Sequence, residues 1–403
     1  MRRSYSNTIS PEMEGADITI GGWVHEIRDL GKLRFLLIRD GQGIIQVTLP
    51  KKFVPEDVFA KSKELSKESV VVVRGKVQKE ERAPNGYEIL PEDIEILSLA
   101  ETPLPLDPTG KVDANLDTRL DHRVMDLRRA EIGAIFRIRS AALKAARVYL
   151  ESESFVEIRT PRIISTASEG GTELFPLAYF EKEAFLAQSP QLYKQMMMGT
   201  GMEKVYEFAT YFRAEEHDTV SHLNEVTAID VEIGFIENEN EVMDVVEGLA
   251  VAMIEGIRKT CKPQLKLLGK EIKKPKRPFP RLEYNDVVAM LKDEGLRLPP
   301  GEDLNTEAEK VLGRIMERKG VKLYFVTKYP LKIKPFYTMH DSGDPSLSNS
   351  FDLEFKGREV VSGTQRVHDY KLLRERIKAK GLNPESFKSY LEPFMYGMPP
   401  HGG

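Results

Sequence analysis

The sequence predicts an α+β protein in two parts, an N-terminal five-stranded β-barrel and a larger domain on an antiparallel sheet. Three observations predict it. Five short runs of strand length crowd residues 18–98. The segment 101–110, ETPLPLDPTG, carries three prolines in six residues and cannot sustain a helix or a central strand. Beyond it, strand-like and helix-like stretches follow in mixed order without a repeated strand-helix beat, which argues for an antiparallel sheet.

The five runs lie at 18–28, 33–40, 44–50, 69–79 and 87–97, with turns marked by Asp29-Leu30-Gly31 and Asp40-Gly41-Gln42-Gly43. A helix-like segment from Pro55 to Leu65 falls between the third and fourth. That layout is an OB-fold, a barrel that commonly binds oligonucleotides. The chain therefore divides into a barrel at 1–100, a hinge at 101–130 and a second domain at 131–403. There, Glu131 to Leu150 places apolar residues at helical intervals without proline, predicting a long amphipathic helix. Strand-like stretches follow at 204–215, 225–236, 322–330 and 350–363, with helices at 239–259, 306–319 and 369–380.

The 403 residues include 59 Lys+Arg against 63 Asp+Glu, a net charge of −4, which excludes a polybasic tail protein. With 41% hydrophobic and 30% charged residues the chain reads as folded and soluble. A single cysteine, Cys261, forbids an intrachain disulfide or a cysteine zinc cage and points to the reducing cytoplasm. No apolar run approaches the roughly 18 residues that span a bilayer, and the N-terminus has no apolar signal core, so neither membrane insertion nor export is expected. The most basic stretch, 258–281, holds ten Lys/Arg and one Glu and reads equally as solvated surface or as a nucleic-acid contact.

Four features between 169 and 366 look like parts of one site. Glu169-Gly170-Gly171-Thr172-Glu173 is a small-residue turn flanked by carboxylates. Gln188, Gln191 and Lys194 recur every three residues, on one face of a helix begun at Ser189-Pro190, and suit an amino-acid head with an acidic side chain. Arg213 and Glu215 end one predicted strand; Asp230 and Glu232 sit on the returning one, with Arg213 a candidate phosphate cation. A surface salt-bridge ladder explains that stretch equally well. Asp352 and Glu359 offer hard oxygen ligands of the kind Mg²⁺ prefers, and Arg366 offers a fork for a carboxylate. There is no phosphate-binding Walker loop, GxGxxG, HExxH or GxSxG.

Together these stretches resemble the class II aminoacyl-tRNA synthetases, specifically the aspartyl-tRNA synthetases of archaeal and eukaryotic type, over nearly the whole chain. Phe155 to Pro161 resembles motif 1, whose proline lies at a homodimer interface in that family. Phe212-Arg213-Ala214-Glu215 through Glu232-Ile233-Gly234-Phe235 resembles motif 2. The resemblance implies ATP-dependent attachment of L-aspartate to tRNA through aspartyl-adenylate. It assigns catalysis to Arg213 and Glu215, and ATP binding to these two with Ser221, His222, Leu223 and Glu359. Mg²⁺ falls to Asp352, Glu359 and Ser362, and aspartate to Glu169, Gln191, Lys194, Arg213, Ser362 and Arg366. Lys194 and Arg366 then supply two positive charges for the second carboxylate of aspartate, which favours aspartate over asparagine.

In the barrel the family's anticodon contacts match Arg28, Phe35 and Gln46, with Phe35 stacking on an unstacked base; by strand pattern alone Phe35 reads as core filler. Family members strict for the aspartate tRNA tend to carry Trp in place of His25 and Lys in place of Pro84. His25 and Pro84 therefore imply the relaxed kind that also charges the asparagine tRNA, although both read as neutral barrel-surface residues too. The sequence stops at Met398 to Gly403, ahead of the family's arginine-bearing motif 3. The resemblance implies that the chain as written adenylates aspartate poorly. The alternatives are an asparagine synthetase-like paralogue, which generally lacks the barrel, a catalytically impaired tRNA-binding fragment and, weakest, a metal-dependent nuclease.

Overall fold

A computed structural model describes residues 2–165, 174–214 and 223–403, in two compact units, Met1–Phe136 and Arg137–Gly403. In the first unit β1 (Asp17–Asp29), β2 (Leu33–Arg39), β3 (Ile44–Pro50), β4 (Val70–Lys79) and β5 (Tyr87–Ser98) close a barrel in the order β1-β2-β3-β5-β4. Helix α1 (Glu56–Glu64) follows β3, and its Val58 and Phe59 join the barrel core of Ile20, Val24, Leu36, Val47 and Ile89. Strict alternation drives this closure: along β2, Arg34, Leu36 and Ile38 are buried while Leu33, Phe35, Leu37 and Arg39 stay half-buried. The short helices α2 (Leu116–Asp121) and α3 (Arg123–Asp126) follow the barrel strands, and buried Asp126 accepts from Arg119 Nε at 2.8 Å and pairs with Arg123.

Helix α4 (Ala130–Ser152) leads into the second unit. There the order is β6 (Val156–Glu157), β7 (Ile163–Ile164), β8 (Pro176–Tyr179), β9 (Lys182–Leu186), α5 (Gln191–Met198), β10 (Lys204–Phe212), β11 (Glu225–Gly234) and α6 (Glu239–Thr260). Then come α7 (Lys262–Leu267), β12 (Arg281–Glu283), α8 (Tyr284–Asp293), α9 (Thr306–Arg318) and β13 (Leu323–Thr327). The chain closes with β14 (Ser350–Phe355), β15 (Glu359–Thr364), α10 (Tyr370–Ala379), α11 (Lys388–Met395) and β16 (His401–Gly402).

Two four-stranded sheets, β16-β11-β10-β6 and β12-β13-β14-β15, form the platform. They are stitched edge to edge: Thr364 and Gly403 exchange backbone bonds at 2.9 and 3.1 Å, and Arg366 N–H donates to His401 C=O at 2.8 Å. The expected antiparallel sheet forms the centre of both halves, and parallel pairs are added at the two ends, β6 with β10 and β12 with β13. Strands of two and three residues carry too little periodicity to be read in advance. The predicted strand 204–215 also stops at Phe212.

One face of the platform is apolar: Tyr206, Val231, Ile233, Phe325, Phe351 and Leu353 pack with Val242, Met243 and Val246 of α6. The alternate residues of the same strands must then share the opposite face. That face carries the candidate site.

Candidate functional site

On α5 the buried residues are Gln191, Lys194, Gln195 and Met198, an i, i+3, i+4, i+7 stripe that an ordinary helix fills with apolar side chains. Three of the four are polar, so something other than oil must receive them. Gln188, expected on this helix face, precedes the helix; Ser189 Oγ accepts the Gln191 N–H at 3.2 Å at its start.

The receiver is β11. Lys194 Nζ donates to Asp230 Oδ1 at 3.2 Å and to Val231 C=O at 3.1 Å, and lies 3.5 Å from Glu232 Oε2. Arg366 Nε donates to Glu232 Oε1 at 3.0 Å; its Nη2 donates to Glu232 Oε2 at 3.3 Å and to Gln191 Oε1 at 3.1 Å. Lys194 and Arg366, far apart in the chain, thus converge on one fully buried carboxylate. Burial pushes the Glu232 carboxyl up, but Arg366 and Lys194 outweigh it and hold it below the usual range. The row Glu232, Gly403, Thr364 needs glycine at its centre, because a Cβ on Gly403 would sit 2.3 Å from Glu232 Oε2.

Lys194 and Arg366, expected to supply two positive charges to the second carboxylate of aspartate, are faced within the chain by Asp230 and Glu232. Two unpaired cations at this depth would cost several kcal/mol each in lost hydration. The cluster keeps Arg366 Nη1 uncommitted among the described residues, and leaves Gln191 Nε2, a donor, and Asp230 Oδ2, an acceptor, buried without partners. Those leftover groups match the carboxylate and ammonium of an amino acid.

Further along the same face lies a carboxylate group. Asp352 stands opposite Ser362 in the ladder, and Glu354 opposite Glu359. Regular pairing would set Val360 against Glu354; a bulge at Val360 moves Glu359 onto the face of Asp352 and Ser362. Lys334 Nζ donates to Asp352 Oδ2 at 3.1 Å and sits 3.8 Å over the Tyr329 ring. Burial and neighbouring acids, Glu309 first, push Glu354 up to about 8. Although the Glu359 residue is exposed, partial enclosure of its carboxyl and the neighbouring Asp352 push it up to about 7, with Lys334 opposing. Among the described residues Asp352 Oδ1 and Glu354 Oε2 are buried without partners. Among the described residues no three His, Cys, Asp or Glu side chains surround a point as a cage would. Two carboxylates and a hydroxyl suit Mg²⁺ that also holds substrate phosphates, because Mg²⁺ seldom takes an all-protein cage.

Arg213 follows β10, its N–H donating to Asn224 C=O at 3.0 Å, and its exposed guanidinium lies 5.4 Å from the Tyr211 ring. It shares the face of Glu207 and Asp230 but stands six residues on from Glu207, ~20 Å along the strand. Leu223 is exposed. Glu169, Glu215, Ser221 and His222 lie outside the described residues. The reading of the two strands as a surface salt-bridge ladder fails at Glu232, which is fully buried.

In the barrel, Arg28, Phe35 and Thr48 form one cross-strand row, and Glu26, Leu37 and Gln46 the next, on the outer face. Phe35 is half-buried and points away from the core, which corrects its reading as core filler. Gln46 Nε2 donates to Glu88 Oε2 at 2.9 Å. His25 is the inserted residue of a bulge in β1. Arg39 Nη1 stands 3.2 Å from its Nδ1 and donates to Glu68 Oε1 at 3.0 Å. Burial, then Arg39, lowers the His25 pKa, so the ring is neutral and Nδ1 accepts. Pro84 is exposed in the β4–β5 connection, next to Asn85, whose Nδ2 donates to Ile44 C=O at 2.8 Å.

Sequence reasoning missed Gln195, which accepts from Tyr390 OH at 2.8 Å, Lys334, and His401. Burial pushes the fully buried His401 ring down to about 4, and its Nδ1 bonds Pro399 C=O at 2.8 Å. The polar stripe on α5 was the readable signal; the other two have none.

Two family models match the chain: the class II tRNA synthetases (D, K and N) over residues 115–403, and the OB-fold nucleic acid binding domain over 18–97. The chain belongs to the class II tRNA synthetases. It is 55% identical to the aspartate--tRNA(Asp) ligase of Pyrococcus furiosus, over all of this chain and 92% of that protein. It is 52% identical to the aspartate--tRNA(Asp/Asn) ligase of Methanothermobacter thermautotrophicus, over all of this chain and 91% of that protein. The asparaginyl-tRNA synthetase of Pyrococcus horikoshii, solved with asparaginyl-adenylate, matches at a TM-score of 0.93 and 32% identity, over 100% of this chain and 92% of that one. Within this class II family the fold is therefore shared by aspartate and asparagine enzymes, and the choice between them lives in side chains. The asparagine synthetase-like alternative finds no support here.

Proposed function

We propose that the chain attaches L-aspartate to tRNA in two steps. The aspartate α-carboxylate attacks the α-phosphorus of ATP, breaking the bond to pyrophosphate and forming aspartyl-adenylate. A 3′-terminal tRNA hydroxyl then attacks the adenylate carbonyl and releases AMP. The convergence of Lys194 and Arg366 on Glu232, with Gln191 and Asp230 half-satisfied beside them, carries this reading. Arg366 and Gln191 bind carboxylate oxygen, Asp230 binds the ammonium, and the fixed positions of all three orient the attack. Ser362 and Glu169 complete the aspartate pocket by resemblance, and Arg213 meets phosphate charge at the hairpin mouth, with Glu215, Ser221, His222 and Leu223 around ATP. Asp352, Glu359 and Ser362 would hold Mg²⁺, which when bound neutralises triphosphate charge. The enzyme is cytoplasmic and pairs as a homodimer through motif 1, where Val156 is exposed, flanked by exposed Val148 on α4 and Ile163 on β7.

We assign the relaxed tRNA choice, because the neutral His25 and Pro84 add no fixed charge beside the Arg28, Phe35 and Gln46 face. Separate charging of aspartate and asparagine tRNA transcripts tests it, together with aspartate-dependent pyrophosphate exchange. Rates within tenfold are expected; a ratio in the hundreds refutes relaxed choice, and exchange with asparagine but not aspartate refutes the amino-acid assignment.

A further inference from the structure

The most basic stretch of the chain lies against α6, on the apolar side of the platform and not on its polar face. After Thr260 the chain leaves α6, forms α7 and returns along α6 as an extended strap. The strap is tied down at three points. Lys274 Nζ lies 2.6 Å from Glu255; Arg277 Nε and the Phe279 N–H donate to buried Glu247 at 2.6 and 3.0 Å; Arg281 Nη2 lies 2.6 Å from Asp244. Cys261 and Phe279 are buried at either end. The cations that face α6 are therefore matched by acids on α6.

The remaining lysines are not. Lys259, Lys262, Lys266, Lys270, Lys273 and Lys276 are all exposed, and none has an ion-pair partner among the described residues. Only Glu271 interrupts them, in a chain whose overall charge is −4. Such a concentration of like charge repels itself and works against the compact state unless something anionic answers it. Because α6 covers the apolar side of the platform, a small substrate on the polar side does not reach the strap; an extended polyanion does. The only aromatic residue in 258–281 is Phe279, which is buried, so stacking on unpaired bases is unavailable. Lysine is a flexible point charge, suited to sequence-independent phosphate contacts.

We propose that the lysine strap at 259–276 docks the phosphate backbone of a duplex part of the RNA substrate, adding affinity without sequence choice. This rests on the reading that tRNA is the substrate. The test replaces Lys266, Lys270, Lys273 and Lys276 together by Gln in the full chain, and in a second variant by Arg. With the aspartate tRNA transcript, the Gln variant is expected to raise the tRNA KM at least tenfold at moderate salt. The slope of log KM against log salt should flatten by ~2–4, the count of lost phosphate contacts. The Arg variant should behave as the parent. Aspartate-dependent pyrophosphate exchange, which needs no tRNA, should stay unchanged in both; its absence in the parent would refute the proposed function and not the strap. An unchanged tRNA KM and slope in the Gln variant overturns the proposal. So does an Arg variant as impaired as the Gln variant, because charge is then not the cause. Loss of binding to vesicles of equal phosphatidylserine and phosphatidylcholine, with tRNA kinetics intact, overturns it in favour of a lipid surface.

Discussion

Glu232→Gln separates the buried ion cluster from mere surface polarity. In the parent, Arg366 is 3% exposed, and among the described residues Glu232 is the one carboxylate bonded to it. After the change, Arg366 keeps Gln191 and the Tyr337 ring, 5.2 Å away, as neutral neighbours, while Lys194 keeps Asp230. Breaking one partner of such a buried pair costs about 3–5 kcal/mol. Unfolding entropy near 2.1 cal/mol/K per residue over a unit of roughly 270 residues converts this to a Tm loss of about 5–9 °C. Scanning calorimetry of the whole chain, read on the transition of the unit Arg137–Gly403, measures it. The double variant Arg366→Met with Glu232→Gln should recover more than half of the loss, because it removes both charges. A single-variant shift under about 2 °C would refute the claim that these charges stabilise one another in a desolvated site.

Three further outcomes are expected. The fold holds His401 neutral, with a pKa of about 4 against roughly 6.5 unfolded. The depressed value means its stability is whole above pH ~6.5 and is lost as pH falls toward 4, by about 3 kcal/mol; in His401→Gln that part of the Tm decline should vanish. Phe35→Ala should lower kcat/KM for tRNA by about 5- to 150-fold, the worth of one stacked base, with Tm within ~1 °C of the parent. Gly363→Ala places a Cβ 2.4 Å from the Phe351 ring, which is fully buried, so circular-dichroism melts should show ~1–3 kcal/mol of destabilisation.

The legible parts were those whose physics is local. Strand 44–50 was read to the residue and the helix at 306–319 to within one, because period 2 and period 3.6 are written in consecutive side chains. Helices α8 and α11 went unread: the first follows a three-residue strand, and the second carries Pro393 inside it. The candidate site was legible through resemblance as a set of residues, not as an arrangement.

By itself the sequence determined the barrel, the proline-rich composition of the connection, the amphipathic helices and the residue types suited to an acidic amino acid and to the negative charge of phosphate. Tertiary structure alone decided that Arg366 and Lys194 meet on Glu232 and that a bulge at Val360 turns Glu359 onto the face of Asp352. It also decided that Phe35 faces outward and that acids on α6 answer some lysines of 258–281 but not others. Propensity acts between neighbours in the chain, whereas desolvation and ion pairing act between neighbours in space, and only folding makes Gln191, Glu232 and Arg366 neighbours.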